Sequence, residues 1–98
     1  MKKIIWAEPA LADLDNIHDY IAQDSPFYAD VLCLEIIQGV EKVTGFPKIG
    51  RRVPEYNDER VRELIVSDYR IVYESAGAKI IILTVIHGSK LLRKHHEK

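Results

Sequence analysis

The 98-residue sequence holds one cysteine, one tryptophan, one methionine, five glycines and four prolines. A lone Cys33 excludes an internal disulfide and fits a reducing compartment. Its neighbours Leu32, Leu34 and Ile36 mark it as a packed thiol rather than a nucleophile. No Cys/His set has zinc spacing, so neither a metal nor another cofactor is expected. Long apolar runs are missing as well. The apolar part of the opening MKKIIWAEPA is too short for a signal peptide, and no segment approaches the roughly 20 residues of a membrane span. A cytoplasmic protein without membrane contact is therefore expected. No repeat or low-complexity stretch is visible, and glycine density nowhere reaches that of a phosphate-binding loop.

What remains is an ordinary globular balance, 47% hydrophobic and 30% charged, with a length that allows one domain, 1–98, and no large cofactor cavity. The net charge of −1 conceals a division. Residues 1–45 carry three Lys/Arg against eight Asp/Glu, whereas residues 46–98 carry eleven against seven. The second half therefore offers a basic face.

Hydrophobic period divides the chain further. Lys3 to Trp6 reads as a short strand. Pro9 suits a first helical turn, and Ala10, Leu14, Ile17 and Ile21, widened by Leu11, predict an amphipathic helix over about 8–23. Ser25-Pro26 supplies an N-cap and a proline at the first helical position. Ala29, Leu32, Cys33, Ile36, Val40 and Val43 carry a second helix over about 26–44, with Gly45 as a left-handed cap and Pro47 as a stop. The short connection makes the two helices an antiparallel hairpin. Residues 46–59 read as an ordered loop crossing from helices to sheet. Three strands follow, Arg60–Val66, Tyr69–Ser75 and Lys79–His87, joined by turns at Ser67-Asp68 and Ala76-Gly77-Ala78. The apolar run from Ile80 to Ile86 marks an interior strand. The order β-α-α-β-β-β predicts an α+β fold, a helical hairpin on one face of a mainly antiparallel sheet. The other face is expected to be open, concave and polar, and the basic tail 89–98 only partly ordered.

Candidate functional residues lie in the second half. Arg62 and Arg70 fall on adjacent strands, and His87 and Lys90 close the last one. Arginine forks suit phosphate oxygens, and histidine can move protons near neutrality. Together these four could attack RNA through its own 2′-hydroxyl. The plainer reading pairs Arg62 with Glu63 and Arg70 with Glu74 at the surface, with His87 a satisfied strand-end imidazole. The run from Gly50 to Glu55, with Arg51 and Arg52, is either a rim of the polar face or a crossover in which Glu55 neutralises one of those arginines. His95-His96 belongs to a tail without further ligands. Trp6 and Phe46 are expected in the core, and packing outweighs base stacking for Tyr69 and Tyr73.

The pattern Trp6…Ala10-x-x-Asp13-Leu14-x-x-Ile17-x-x-Tyr20-Ile21 resembles the first helix of RelE/ParE-family toxins of bacterial toxin–antitoxin systems. Pro47-x-x-Gly50-Arg51-x-Val53-Pro54-Glu55, Val61-Arg62-Glu63-Leu64-Ile65 and Tyr69-Arg70-Ile71-Val72-Tyr73 resemble that family's crossover and central hairpin. Val85-x-His87-Gly88-x-Lys90 resembles its closing strand. The resemblance spans about residues 6–90.

It implies a growth-inhibiting toxin of a plasmid-stabilisation type module, held by a cognate antitoxin, with a toxin–antitoxin hetero-oligomer as one assembly. RelE-like members cut mRNA on the ribosome, and Arg70 and Lys90 fall on their two cationic positions, with Arg62 and His87 as candidate helpers. ParE-like members inhibit DNA gyrase, and the first-helix pattern and the Gly-Arg-x-Val-Pro-Glu crossover are more similar to them. A pI near 6.4 also suits a protein-directed toxin better than a ribosome-directed nuclease. The balance favours gyrase inhibition, with Arg51, Arg52, Arg62, Arg70 and Lys90 as the functional basic face. The alternatives are the endoribonuclease and an inactive member that only binds antitoxin.

Overall fold

A computed structural model describes residues 2–92. His95, His96 and most of the basic tail lie outside the described residues. The elements run β1 (Lys3–Trp6), α1 (Glu8–Ala22), α2 (Pro26–Gly45), β2 (Arg51–Arg52), β3 (Val61–Val66), β4 (Tyr69–Ala76) and β5 (Lys79–His87). The strands form one sheet in the order β1-β5-β4-β3-β2. Only the β1–β5 pair is parallel; the others are antiparallel. The expected α+β layout is thus present, with one addition. The crossover contains β2, a two-residue strand whose Arg51 and Arg52 pair with Glu63 and Arg62.

Both helices begin as their sequence dictates. Pro9 sits in the first turn of α1, and the Ser25 hydroxyl caps α2 by accepting from Tyr28 N–H at 3.1 Å. The end of α2 differs from expectation. Gly45 is its last helical residue, and among the described residues Gly77 is the one glycine with positive φ. Phe46, with φ −137°, closes the helix by donating its N–H to Lys42 O. Pro47 then blocks continuation. Positive φ is used instead in the two hairpin turns, at Ser67 and Gly77.

The main core lies between the hairpin and the sheet. Ala10, Leu32, Ile36, Val40 and Val43 meet Ile71, Tyr73, Ile80, Ile82 and Val85, with Trp6 packed against them as expected. Fully burying each larger side chain stabilises the fold by about 1.5–3 kcal/mol. β5 is interior, and its unbroken apolar run has a structural cause. The register against β4 shifts between Val72 and Tyr73, so the alternation restarts around Leu83. Ile80, Ile82 and Val85 serve the main core while Leu83 packs on the opposite face. β1 pairs no further than Trp6 with Ile82. Beyond it the Asp13 carboxylate of α1 takes Val85 N–H at 3.0 Å and the Thr84 hydroxyl at 2.5 Å.

Two expectations need correction. The sheet face away from the helices is not an open polar surface: it carries a second apolar cluster of Val53, Val61 and Val72, joined by Tyr56, Leu83 and Leu92. Val53 and Tyr56 come from the crossover, which folds over that face. Phe46 is not in the core but 70% exposed, because it closes a helix beyond the last turn that the sheet covers.

Candidate functional site

Strand alternation sorts the arginines before any chemistry is considered. Arg62 stands opposite Tyr73 and shares the helix-side face with Leu64 and Val66, while Glu63 and Arg70 project from the outer face. Across β2, Arg51 pairs with Glu63 and Arg52 with Arg62. The outer face therefore receives Arg51 and Arg70, and the helix side receives Arg52 and Arg62.

On the outer face these residues form a closed cluster. Arg70 is 4% exposed and Glu63 is 1% exposed. Arg70 Nε donates to Glu63 Oε1 at 2.6 Å, and its two terminal nitrogens donate to the Glu55 oxygens at 2.9 and 2.8 Å. A fourth N–H reaches Lys90 O at 2.9 Å, so four of the five donors of a guanidinium are engaged. Arg51 Nε donates to the other Glu63 oxygen at 2.5 Å. Two cations and two carboxylates thus balance each other, with Arg70 and Glu63 withdrawn from water and Arg51 at the exposed rim. A buried charge persists only when it is paired and hydrogen-bonded in this way. The Arg70 hydrogen bonds hold the Glu55 carboxyl at a pKa of about 2, helped by Leu92 N–H at 2.9 Å. Arg70 itself is held firmly in its charged form by Glu55 and Glu63. Through Glu55 and the Lys90 carbonyl, the cluster fastens the crossover and the segment after β5 to the sheet. Gly50 is required where β2 begins, since a Cβ there would lie 2.5 Å from Glu63 O.

His87 belongs elsewhere, and Lys90 lies between the two places, lining one cleft with Arg51 and Arg70 and another with His87. His87 stands opposite Tyr69 on the helix side, with the two rings edge to face at 5.4 Å. Its Nδ1 accepts from Ser89 N–H at 3.1 Å, which places the ring proton on Nε2. Together with the exposed Lys90, it lines a cleft against Asp13, Asn16 and Tyr20 of α1. The five cations of the expected basic face therefore divide: Arg51, Arg70 and Lys90 line one small cleft, while Arg52 and Arg62 lie on the helix side. The surface pairs read from sequence also give way: Arg70 pairs with Glu63 and Glu55 rather than with Glu74, and Arg62 donates to Gly50 O at 3.0 Å. Glu55 neutralises Arg70, not Arg51 or Arg52. Among the described residues, no group of three or more His, Cys, Asp and Glu side chains could hold a metal.

Comparison with known proteins decides the family. The model of the ParE toxin of type II toxin–antitoxin systems, parDE, matches residues 4–92. The chain belongs to the ParE toxin family. A curated relative, Toxin RelE2 of Caulobacter vibrioides, is 33% identical over 92 residues, covering 93% of this chain and 100% of that protein. A solved structure described as the chromosomal ParDE TA system from P. aeruginosa superposes with a TM-score of 0.73 at 26% identity, covering 89% of this chain and 96% of the other. The protein is accordingly a toxin of the ParDE/RelE type. Among its described residues, no helix is long and apolar enough to cross a membrane.

Proposed function

We propose that this ParE-family toxin arrests growth by binding DNA gyrase, without chemistry of its own, and that a cognate antitoxin neutralises it. The observation that carries the reading is the enclosure of Arg70. An arginine stabilising a scissile phosphate must present free N–H donors to an incoming polyanion. Arg70 has four of its five committed inside the protein, two of them to one carboxylate. His87 stands on the other face of the sheet, and of the groups that do line the space beside Arg70, Glu55 is already bound to it. The pI near 6.4 agrees with a protein target. The test is purified gyrase with plasmid DNA: toxin should accumulate cleaved complexes, and gyrase indifferent to a molar excess of toxin would reject the proposal.

A second reading has one observation in its favour, the name of the relative at 33% identity, Toxin RelE2. On this reading the chain is a ribosome-dependent endoribonuclease using Arg70, Lys90, Arg62 and His87, and Arg70 has to leave Glu55 to reach a phosphate. Primer extension on a translated message separates the two: codon-linked cuts that vanish in Lys90→Ala support the nuclease, and intact message in arrested cells rejects it. Normal growth with soluble protein present would leave only an inactive antitoxin-binding member.

A further inference from the structure

Where α2 ends, the crossover leaves an open cleft of about 900 Å³ floored by Phe46, Pro47 and Ile49. Phe46 is 70% and Ile49 50% exposed, so two large apolar side chains three residues apart face solvent at one cleft. The exposure does not come from a slack chain. The buried Tyr73 hydroxyl donates to Pro47 O at 2.7 Å and accepts Gly50 N–H at 3.0 Å, while Ile49 N–H closes on Phe46 O at 2.9 Å. The core thus holds this turn from beneath, and its apolar side chains are presented at little further cost in order.

Charge surrounds the floor on one side of the scale. Lys2, Lys48, Arg60 and Arg62 line the cleft against Glu59 alone. Arg60 is partly offset by Asp58 at 3.0 Å, whereas Arg62 gives one N–H to Gly50 O and keeps others for a ligand. A nucleic-acid backbone would satisfy the cations and leave the apolar floor unused. A second copy seated by the same face would bring like charges together. An acidic polypeptide segment with a large apolar side chain matches both features.

We infer that this cleft seats an acidic segment of the antitoxin. One apolar side chain fills the space between Phe46 and Ile49, and flanking carboxylates meet Lys48, Arg60 and Arg62. The inference rests on the antitoxin reading for the source of the segment. The test titrates purified antitoxin into the wild-type chain, Phe46→Ala, the double variant Lys48→Glu/Arg60→Glu, and Leu34→Ala on the exposed side of α2. Thermal melts confirm folding, since the substituted side chains are exposed. Phe46→Ala and the charge reversal should each weaken binding at least about tenfold, the reversal's effect shrinking in high salt, and Leu34→Ala less than about twofold. Tight binding that ignores the cleft variants overturns this inference and leaves the antitoxin reading intact. A wild-type chain that fails to bind antitoxin overturns both. Cleft variants that keep antitoxin affinity but lose gyrase inhibition would assign the cleft to the target and overturn the inference as stated.

Discussion

Arginines gather in two places on this small sheet, with opposite surroundings. Around Arg70 the guanidinium lies between Glu63 and Glu55, sealed by the crossover and the segment after β5. Around Arg60 and Arg62 the charge rims an open apolar floor. The sequence texture of the two is alike, since Arg62 and Glu63 are neighbours in one strand. Alternation sends one to each face, and the partners waiting there decide the rest. Of two arginines that both fall in family motifs, Arg70 is thus enclosed by carboxylates while Arg62 stays available to a partner.

The sealed cluster should respond most strongly to substitution. Glu63→Ala leaves Arg70 short of a carboxylate and Arg51 with none, so stability should fall by about 3–5 kcal/mol, read from urea unfolding. A loss below about 1 kcal/mol would mean that the cluster is not a structural unit. Acid should act next. The folded-state pKa of Glu55, about 2, lies below its ordinary 4.5. Its contribution is therefore fully present above about pH 4.5 and fades as pH falls toward 2. Solvent screening at this partly exposed carboxylate holds the effect to about 1–2 kcal/mol. Urea midpoints between pH 7 and pH 3 should fall more steeply in the wild type than in Glu55→Gln.

The open cleft should respond less in stability than in binding. Tyr73→Phe removes the hydroxyl serving Pro47 and Gly50 and should cost about 2 kcal/mol, because the Gly50 N–H and Pro47 carbonyl lose their partner. Phe46→Ala should change stability by less than about 0.5 kcal/mol. A large destabilisation there would erase the contrast between the two regions.

Much of the fold was legible because period and capping act locally. The stripe Ala10-Leu14-Ile17-Ile21, the Ser25-Pro26 start and the glycine turn at Gly77 each encode their own structure. β2 was not, since two residues carry no period and owe their pairing to β3. The end of α2 was misread because a glycine near a helix end has several ways to stop it. Glu63 was missed as a site residue because a carboxylate in a strand reads as solvated. The signal was nevertheless there. Counting alternation across the Ser67-Asp68 turn places Glu63 and Arg70 on one face and Arg62 on the other. Glu55 as the partner of Arg70 was beyond reach, because a crossover's path over a sheet depends on tertiary packing.

The central claim is that Arg70 is withdrawn from chemistry and the toxin acts by binding a protein. Purified gyrase, plasmid DNA and the wild-type chain test it most directly. The account expects gyrase-linked DNA cleavage to accumulate with toxin concentration. Gyrase left unaffected, with codon-linked cuts in translated message at the same toxin concentration, would contradict it.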